Sequence, residues 1–159
     1  MTAESPDVFV RPVSEDDAAE IVLLLNRIID AKTYTAMNEL MSVADQRHFI
    51  RTLPERAVYL AALDGQSGKL LGVQDCLPDK ENGAHCDIST FVSLDVFRKG
   101  VGSALFERMI AYTSQFGYRQ IRAVIRSTNM QALAFYRAAG FRLGRPSNGK
   151  TEAVYLLTD

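Results

Sequence analysis

The stretch that decides the fold is Lys-Gly-Val-Gly-Ser at residues 99–103. It follows residues 84–93, which alternate in the manner of a strand, and it begins an amphipathic helix that ends near Gly117. The first turn of a helix has free N–H groups and a partial positive charge, and glycine lacks the Cβ that would keep an anion away from them. The stretch therefore predicts a diphosphate site, although the same glycines also suit a plain helix start. A dinucleotide fingerprint fits poorly, because it needs a small residue where Leu105 stands.

The apolar spacing on either side of this stretch predicts the remaining elements. Before it we expect a strand at 8–13, a helix from Ser14 to about residue 31, a helix starting at Ser42, and strands at 57–63, 69–77 and 84–93. After it we expect a strand at 118–125, a short helix capped by Ser127 or Thr128 and ended by Gly140, and strands at 141–143 and 153–157. This order predicts a single α/β domain over residues 1–159, with a mixed sheet and helices on both faces.

Composition limits the classes of function. The 159 residues carry a formal net charge of −1, so no broad basic surface is available for nucleic acid. No apolar run reaches the 18 residues that a membrane-spanning helix needs, and we expect a cytoplasmic protein with plain thiols. We expect no metal site, because Cys76, His85 and Cys86 lack a clear fourth ligand.

A second motif, Asn-Met-Gln-Ala-Leu-Ala-Phe-Tyr-Arg-Ala-Ala-Gly-Phe, occupies residues 129–141. Taken alone it is a core helix with Phe135 packed inward and Tyr136 half-exposed. It lies about 25 residues beyond residues 99–103, and the two segments in this order resemble motifs A and B of the GNAT superfamily of N-acetyltransferases. The first half, with Asn26 and the segment around Ser42, also resembles the phosphinothricin-acetyltransferase branch.

The resemblance implies a GNAT-like fold, in which a mostly antiparallel central sheet is splayed between its fourth and fifth strands. It also implies acetyl-CoA as the co-substrate, bound in the gap between those strands. The backbone of residues 90–92 would pair with the pantetheine arm, residues 98–103 would hold the pyrophosphate, and Asn129 would contact the thiol end. The implied coenzyme-binding residues are Thr90, Phe91, Val92, Arg98, Lys99, Gly100, Val101, Gly102, Ser103 and Asn129.

One position departs from the family pattern. Members usually have Arg or Gln three residues before the first glycine, where this chain has Phe97. The contact at that position is largely through the backbone, so coenzyme binding is expected to survive.

The implied reaction is direct transfer of an acetyl group to a primary amine of a small molecule or an amino acid. Tyr136 would hydrogen-bond or protonate the leaving thiolate, and the N–H of Val92 would stabilise the oxyanion. No single general base stands out: Asp87 and His85 lie on the strand leading to the site, and Asp75 lies on the neighbouring strand. Of these, Asp87 is assigned to catalysis.

Two other interpretations stay open. A non-catalytic acyl-CoA-binding sensor could use the same fold, whereas an adaptor for nucleic acid or protein is disfavoured by the mild charge. Residues 32–41 are expected to line the acceptor pocket, because loops carry specificity. A homodimer is compatible with the sequence.

Overall fold

The computed structural model describes residues 7–31, 41–96 and 100–157. The strands are β1 (Val8–Pro12), β2 (Val58–Asp64), β3 (Leu70–Pro78), β4 (His85–Val92), β5 (Gln120–Arg126), β6 (Arg142–Leu143) and β7 (Lys150–Leu156). The helices are α1 (Ala18–Ala31), α2 (Val43–Arg51), α3 (Val101–Gln115) and α4 (Met130–Ala138), with short 3-10 turns at Glu15–Asp17 and Leu94–Val96. This order confirms the predicted order of strands and helices.

The strands of the described residues form one seven-stranded sheet in the order β1-β2-β3-β4-β5-β7-β6. Neighbours are antiparallel except β4 and β5, which run parallel and pair only over residues 85–87 and 120–122. Beyond residue 87 the two strands no longer pair, which leaves a gap between residues 88–92 of β4 and the second half of β5. The predicted mixed sheet with a splay between its fourth and fifth strands is confirmed.

Apolar side chains cover both faces of the sheet, as the order of strands and helices predicts. On one face, Ile21, Leu25 and Ile28 of α1 pack against Tyr59 and Val73. The opposite face packs against residues of α3 and α4. Its buried helical residues are Val101, Leu105, Phe106, Met109 and Tyr136. No helix in the described part of the chain is long and apolar enough to cross a membrane.

Side-chain hydrogen bonds cap the 3-10 turn at Glu15–Asp17 and the start of α2. The carboxylate of Asp17 accepts a hydrogen bond from the N–H of Ser14 at 2.8 Å, and Ser42 Oγ accepts one from the N–H of Asp45 at 3.0 Å. Both caps were expected from the sequence.

The predicted cap of α4 is wrong. Asn129, rather than Ser127 or Thr128, caps the helix, because its Oδ1 accepts a hydrogen bond from the N–H of Ala132 at 3.1 Å. The hydroxyl of Ser127 lies instead 2.9 Å from Thr151 Oγ1, at the end of the β5–β7 ladder.

Candidate active site

A cleft of about 560 Å³ lies where β4, α3 and α4 meet, at the gap in the sheet. Nine residues that the sequence assigned to the site line it together: Thr90, Phe91, Val92, Gly100, Val101, Gly102, Ser103, Asn129 and Tyr136. Arg98 and Lys99, which were assigned to the same site, lie outside the described residues, as does Phe97. The walls are completed mainly by Ile28, Val96, Met130, Ala132 and Phe135.

One end of the cleft is formed by the N-terminus of α3, which starts without a side-chain cap. Its N-cap residue is Gly100, in the left-handed conformation with φ 83°, where glycine is strongly preferred. The first intrahelical bond runs from the N–H of Ala104 to the carbonyl of Gly100 at 3.0 Å. The N–H groups of residues 101–103 therefore have no intrahelical acceptor, and this end of the helix attracts an anion.

Gly102 has a packing role in addition to the one that its sequence context suggests. A Cβ built at this position would lie 2.8 Å from Cε1 and 3.1 Å from Cζ of Phe135. The glycine therefore permits the close contact between α3 and the ring of Phe135 on α4. By contrast, a Cβ at Gly100 would meet no atom within 4 Å, so that glycine is required by its φ angle.

The exposed edge of β4 forms a second wall of the cleft. The N–H of Ser93 donates to the carbonyl of Leu71 at 2.8 Å, which fixes the hydrogen-bonding phase of the β3–β4 pair. In an antiparallel pair the residues alternate between facing the partner and facing away. The backbone groups of Thr90 and Val92 therefore point into the gap, whereas those of Phe91 are used in pairing with β3. Of the three residues assigned to backbone contact with the coenzyme, Thr90 and Val92 therefore have backbone groups available to a ligand, whereas Phe91 does not.

Tyr136 lies at the back of the cleft with only 5% of its surface exposed. Its hydroxyl is 2.9 Å from Thr90 Oγ1, and its ring packs edge-on against Phe135 and Phe141. Burial raises the pKa of the phenol above its ordinary value, so the hydroxyl stays protonated at neutral pH. Taken alone, the motif predicted a packed Phe135 and a half-exposed Tyr136. The prediction for Tyr136 is wrong, because its side chain is buried. Phe135 does pack against the core, as predicted, and it also lines the cleft.

Asn129 combines two positions that matter for the site. It caps α4 through Oδ1 and also lines the cleft, beside Met130 and Gln131. Because Oδ1 is engaged, the amide nitrogen is the group that Asn129 offers to a ligand.

Asp87 is not brought into the cleft. Its Oδ1 accepts a hydrogen bond from Nε of Arg122 at 2.8 Å, within the short parallel segment of β4 and β5. Arg122 also contacts Glu152 at 3.2 Å. His85 lies in the same segment, 3.5 Å from the side-chain amide of Asn82. The structure therefore does not gather these two base candidates with the other site residues.

Asp75 is the third candidate, and its environment differs from that of Asp87. On β3 it is level with Tyr59 on one side and Ser89 on the other, on the face that α1 covers. Burial raises the pKa of its carboxyl from 3.8 to about 7, because the charged form loses contact with water.

Asp75→Asn is expected to stabilise the protein at high pH. Between about pH 4 and 7 the native state holds a proton on Asp75 that the unfolded state has lost. The free energy of unfolding of the parent therefore falls with rising pH, by up to roughly 1.4 kcal/mol per unit from this group. The variant removes this penalty, so we expect it to exceed the parent by at least about 1 kcal/mol at pH 8 and to match it near pH 4. Urea unfolding at several pH values measures this difference.

The matched control for this experiment is Glu107→Gln, which changes an exposed carboxylate on α3 to its amide. We expect its free energy of unfolding to follow that of the parent at every pH. Parallel pH profiles for Asp75→Asn and the parent would show that Asp75 is ionised in the native state.

The structure adds one polar residue to the site that the sequence did not indicate. Gln74 is fully buried on β3, and its Nε2 donates to Thr90 Oγ1 at 3.0 Å. A glutamine within an apolar strand carries no motif, and only its alternation with Gly72 and Cys76 could have placed it on the cleft side of the sheet.

Cys76 on β3 and Cys86 on β4 are buried free thiols. Burial raises the pKa of Cys76 well above its ordinary value. Within the described residues, no group of three His, Cys, Asp or Glu side chains could hold a metal ion.

The fold and the cleft together define the class of the protein. The sequence profile of the acetyltransferase (GNAT) family matches residues 24–141. The chain belongs to this family, as the resemblance predicted.

Solved structures share the whole fold at low sequence identity. An acetyltransferase of the GNAT family from Streptococcus pneumoniae is 20% identical, with a TM-score of 0.83 over 96% of this chain and 100% of that one. The putative acetyltransferase yncA from Salmonella typhimurium, solved with its cofactor acetyl-CoA, is 16% identical, with a TM-score of 0.84 over 96% and 95%. A phosphinothricin acetyltransferase from Sinorhizobium meliloti, in complex with AcCoA, is 21% identical, with a TM-score of 0.83 over 94% and 88%.

A curated relative matches over a shorter segment. The uncharacterized protein YxbD of Bacillus subtilis (strain 168) is 36% identical over 61 residues, which are 37% of this chain and 38% of that protein.

Proposed function

We propose that this chain is an acetyl-CoA-dependent N-acetyltransferase that acts on a primary amine of a small molecule or an amino acid. The observation that carries the proposal is the cleft, in which an uncapped helix N-terminus and an unpaired strand edge meet beside a buried phenol. Acetyl-CoA is bound to two of the proteins with the same fold, and this cleft has the groups to hold it.

The helix N-terminus and the strand edge offer hydrogen-bonding groups to different parts of the coenzyme. The pyrophosphate would accept hydrogen bonds from the free N–H groups of residues 101–103. The pantetheine amides would extend the sheet along the backbone groups of Thr90 and Val92 that face the gap, in the manner of an added strand. This arrangement directs the thioester toward Tyr136, with the N–H of Val92 available to a developing oxyanion.

Tyr136 acts on the leaving group in this proposal. Its hydroxyl stays protonated and can donate to the departing sulfur. Asn129 would contact the same end of the coenzyme through its amide nitrogen.

The acceptor must lose a proton before it attacks. An alkyl ammonium with a pKa of about 10.4 costs roughly 4.6 kcal/mol to deprotonate at pH 7. Asp87 is already bound by Arg122, whereas the pKa of Asp75 near 7 suits a base at neutral pH. We therefore prefer Asp75 to Asp87 as the base. Asp75 is level with Ser89 of β4 and outside the cleft lining, so the proton would reach it through water. If so, Asp75→Asn gives a more stable but slower enzyme.

Acetyl-CoA is expected to stabilise the fold. At about ten times its dissociation constant, a ligand that binds only the native state adds roughly 1.4 kcal/mol, or about 3–6 °C in melting temperature for a chain of this size. Calorimetry gives the dissociation constant and thermal unfolding gives the shift, with adenosine as the control that lacks the pyrophosphate. No shift at millimolar acetyl-CoA would remove the proposal.

Release of free thiol from acetyl-CoA, with a panel of amines and amino acids, tests catalysis. An acetyltransferase turns over with at least one acceptor. Coenzyme binding without turnover across the panel would favour the non-catalytic acyl-CoA sensor.

A further inference from the structure

Behind the cleft, a chain of three polar side chains runs through an otherwise apolar layer. Gln74 Nε2 donates to Thr90 Oγ1 at 3.0 Å, and Thr90 Oγ1 lies 2.9 Å from the hydroxyl of Tyr136. Gln74 is 0% exposed, and its Oε1 has no hydrogen-bond partner within the described residues. A buried, half-satisfied amide destabilises a fold, and an apolar side chain of similar size would avoid that cost. The hydrogen bond to Thr90 is therefore the interaction that an apolar side chain at position 74 could not make.

The direction of this chain determines where the proton of Tyr136 points. Because an amide NH₂ only donates, Thr90 Oγ1 accepts from Gln74 and has its own proton left to donate. The contact of 2.9 Å between Thr90 Oγ1 and the oxygen of Tyr136 allows either hydroxyl to donate. When Thr90 donates its proton to Tyr136, the phenolic O–H is free to donate into the cleft.

The opposite direction would have the opposite effect. If an acceptor faced Thr90, the threonine would donate to it, and Tyr136 would donate to Thr90. The phenol would then offer only lone pairs to the cleft. Because burial keeps the phenol protonated, its single proton points either to Thr90 or into the cleft, and the direction of the chain decides which.

We propose that Gln74 is a positioning residue that acts through Thr90 to direct the hydroxyl of Tyr136 toward the coenzyme sulfur. This inference deepens the proposed function and rests on it for the identity of the ligand. Gln74 does not line the cleft, so in this proposal it acts only through the direction of the Tyr136 hydroxyl.

Binding tests the inference without turnover. Coenzyme A and desulfo-coenzyme A differ only in the sulfur, so the ratio of their dissociation constants reports the hydrogen bond from Tyr136. We expect the parent to prefer coenzyme A about fivefold, in line with one neutral hydrogen bond. Gln74→Met, which keeps the length of the side chain and removes the amide, should reduce this preference to less than twofold. A parent without preference, or a Gln74→Met variant that keeps it, would overturn the inference.

Kinetics supply a second test that a merely structural role would not pass. Gln74→Met should lower kcat about fivefold to tenfold in the parent and by less than twofold in a Tyr136→Phe background, because the hydroxyl that it directs is absent there. Equal losses in both backgrounds would show that Gln74 acts on packing alone. If Gln74→Met does not fold, Gln74→Leu removes the same amide and is expected to give the same pattern in both tests.

A matched glutamine on α2, which contacts Tyr59 on the opposite face of the sheet, provides the control. Gln46 is also buried, and its Nε2 donates to the hydroxyl of Tyr59 at 2.8 Å. Gln46→Met also removes a buried amide that donates to a hydroxyl, and it should keep the preference for coenzyme A over desulfo-coenzyme A. Loss of that preference in Gln46→Met would show that general destabilisation explains the result. If no amine is turned over and the preference still depends on Gln74, the proposed function fails and the positioning role stands.

Discussion

Tyr136→Phe is expected to lower kcat about 100-fold while the dissociation constant of coenzyme A rises no more than about fivefold. The change keeps the ring and its contacts with Phe135 and Phe141, and removes only the hydroxyl. Hydrogen bonding to the leaving sulfur strengthens as negative charge develops on it, so most of the gain belongs to the transition state. General acid assistance contributes about 10²–10⁴-fold, and a thiolate is a good leaving group, which sets the expectation at the low end.

Steady-state kinetics with any accepted amine, together with calorimetric titration of coenzyme A, check this prediction. Tyr155→Phe is the matched control, because Tyr155 belongs to the same aromatic cluster, against Phe106 and Phe141, but does not line the cleft. A kcat within twofold of the parent for Tyr136→Phe would leave solvent as the proton donor.

The parts of the site that could be predicted from the sequence are those in which a local pattern fixes a local structure. Gly100 before an amphipathic run predicts a helix with an uncapped first turn, and the structure contains it. The order of strands and helices follows from apolar spacing in the same way. The resemblance to a family then supplied what no local pattern holds, namely that β4 and β5 separate where the coenzyme would lie.

The parts that could not be predicted depend on contacts between distant segments. The contact of Gly102 with Phe135 and the link from Gln74 to Tyr136 each join residues more than 30 positions apart. Asp87 illustrates the same limit, because its pairing with Arg122 depends on the register of β4 against β5. A residue type on a suitable strand therefore identifies a candidate base, whereas its partners decide whether it is available.

The contact at Gly102 also changes the expected effect of a substitution there. A valine places its Cβ 2.8 Å from the ring of Phe135, so the ring must move, and it borders the cleft. We expect Gly102→Val to displace the ring into the space of the coenzyme and to separate the phosphate from the first turn of α3. Loss of one or two charge-assisted hydrogen bonds, at roughly 1.5–3 kcal/mol each, predicts a fall in coenzyme A affinity of about 100-fold.

A second substitution separates the displaced ring from the valine itself. In Gly102→Val combined with Phe135→Leu, the smaller side chain gives the valine room, and coenzyme A affinity should return to within about fivefold of the parent. Phe135→Leu alone is the control and should bind within a few-fold of the parent. Calorimetry gives the affinities, and thermal unfolding verifies that each variant is folded. If the double variant binds as weakly as Gly102→Val, the valine obstructs the phosphate directly. If folded Gly102→Val binds coenzyme A normally, the N-terminus of α3 does not hold the pyrophosphate, and the anion site must lie elsewhere in the cleft.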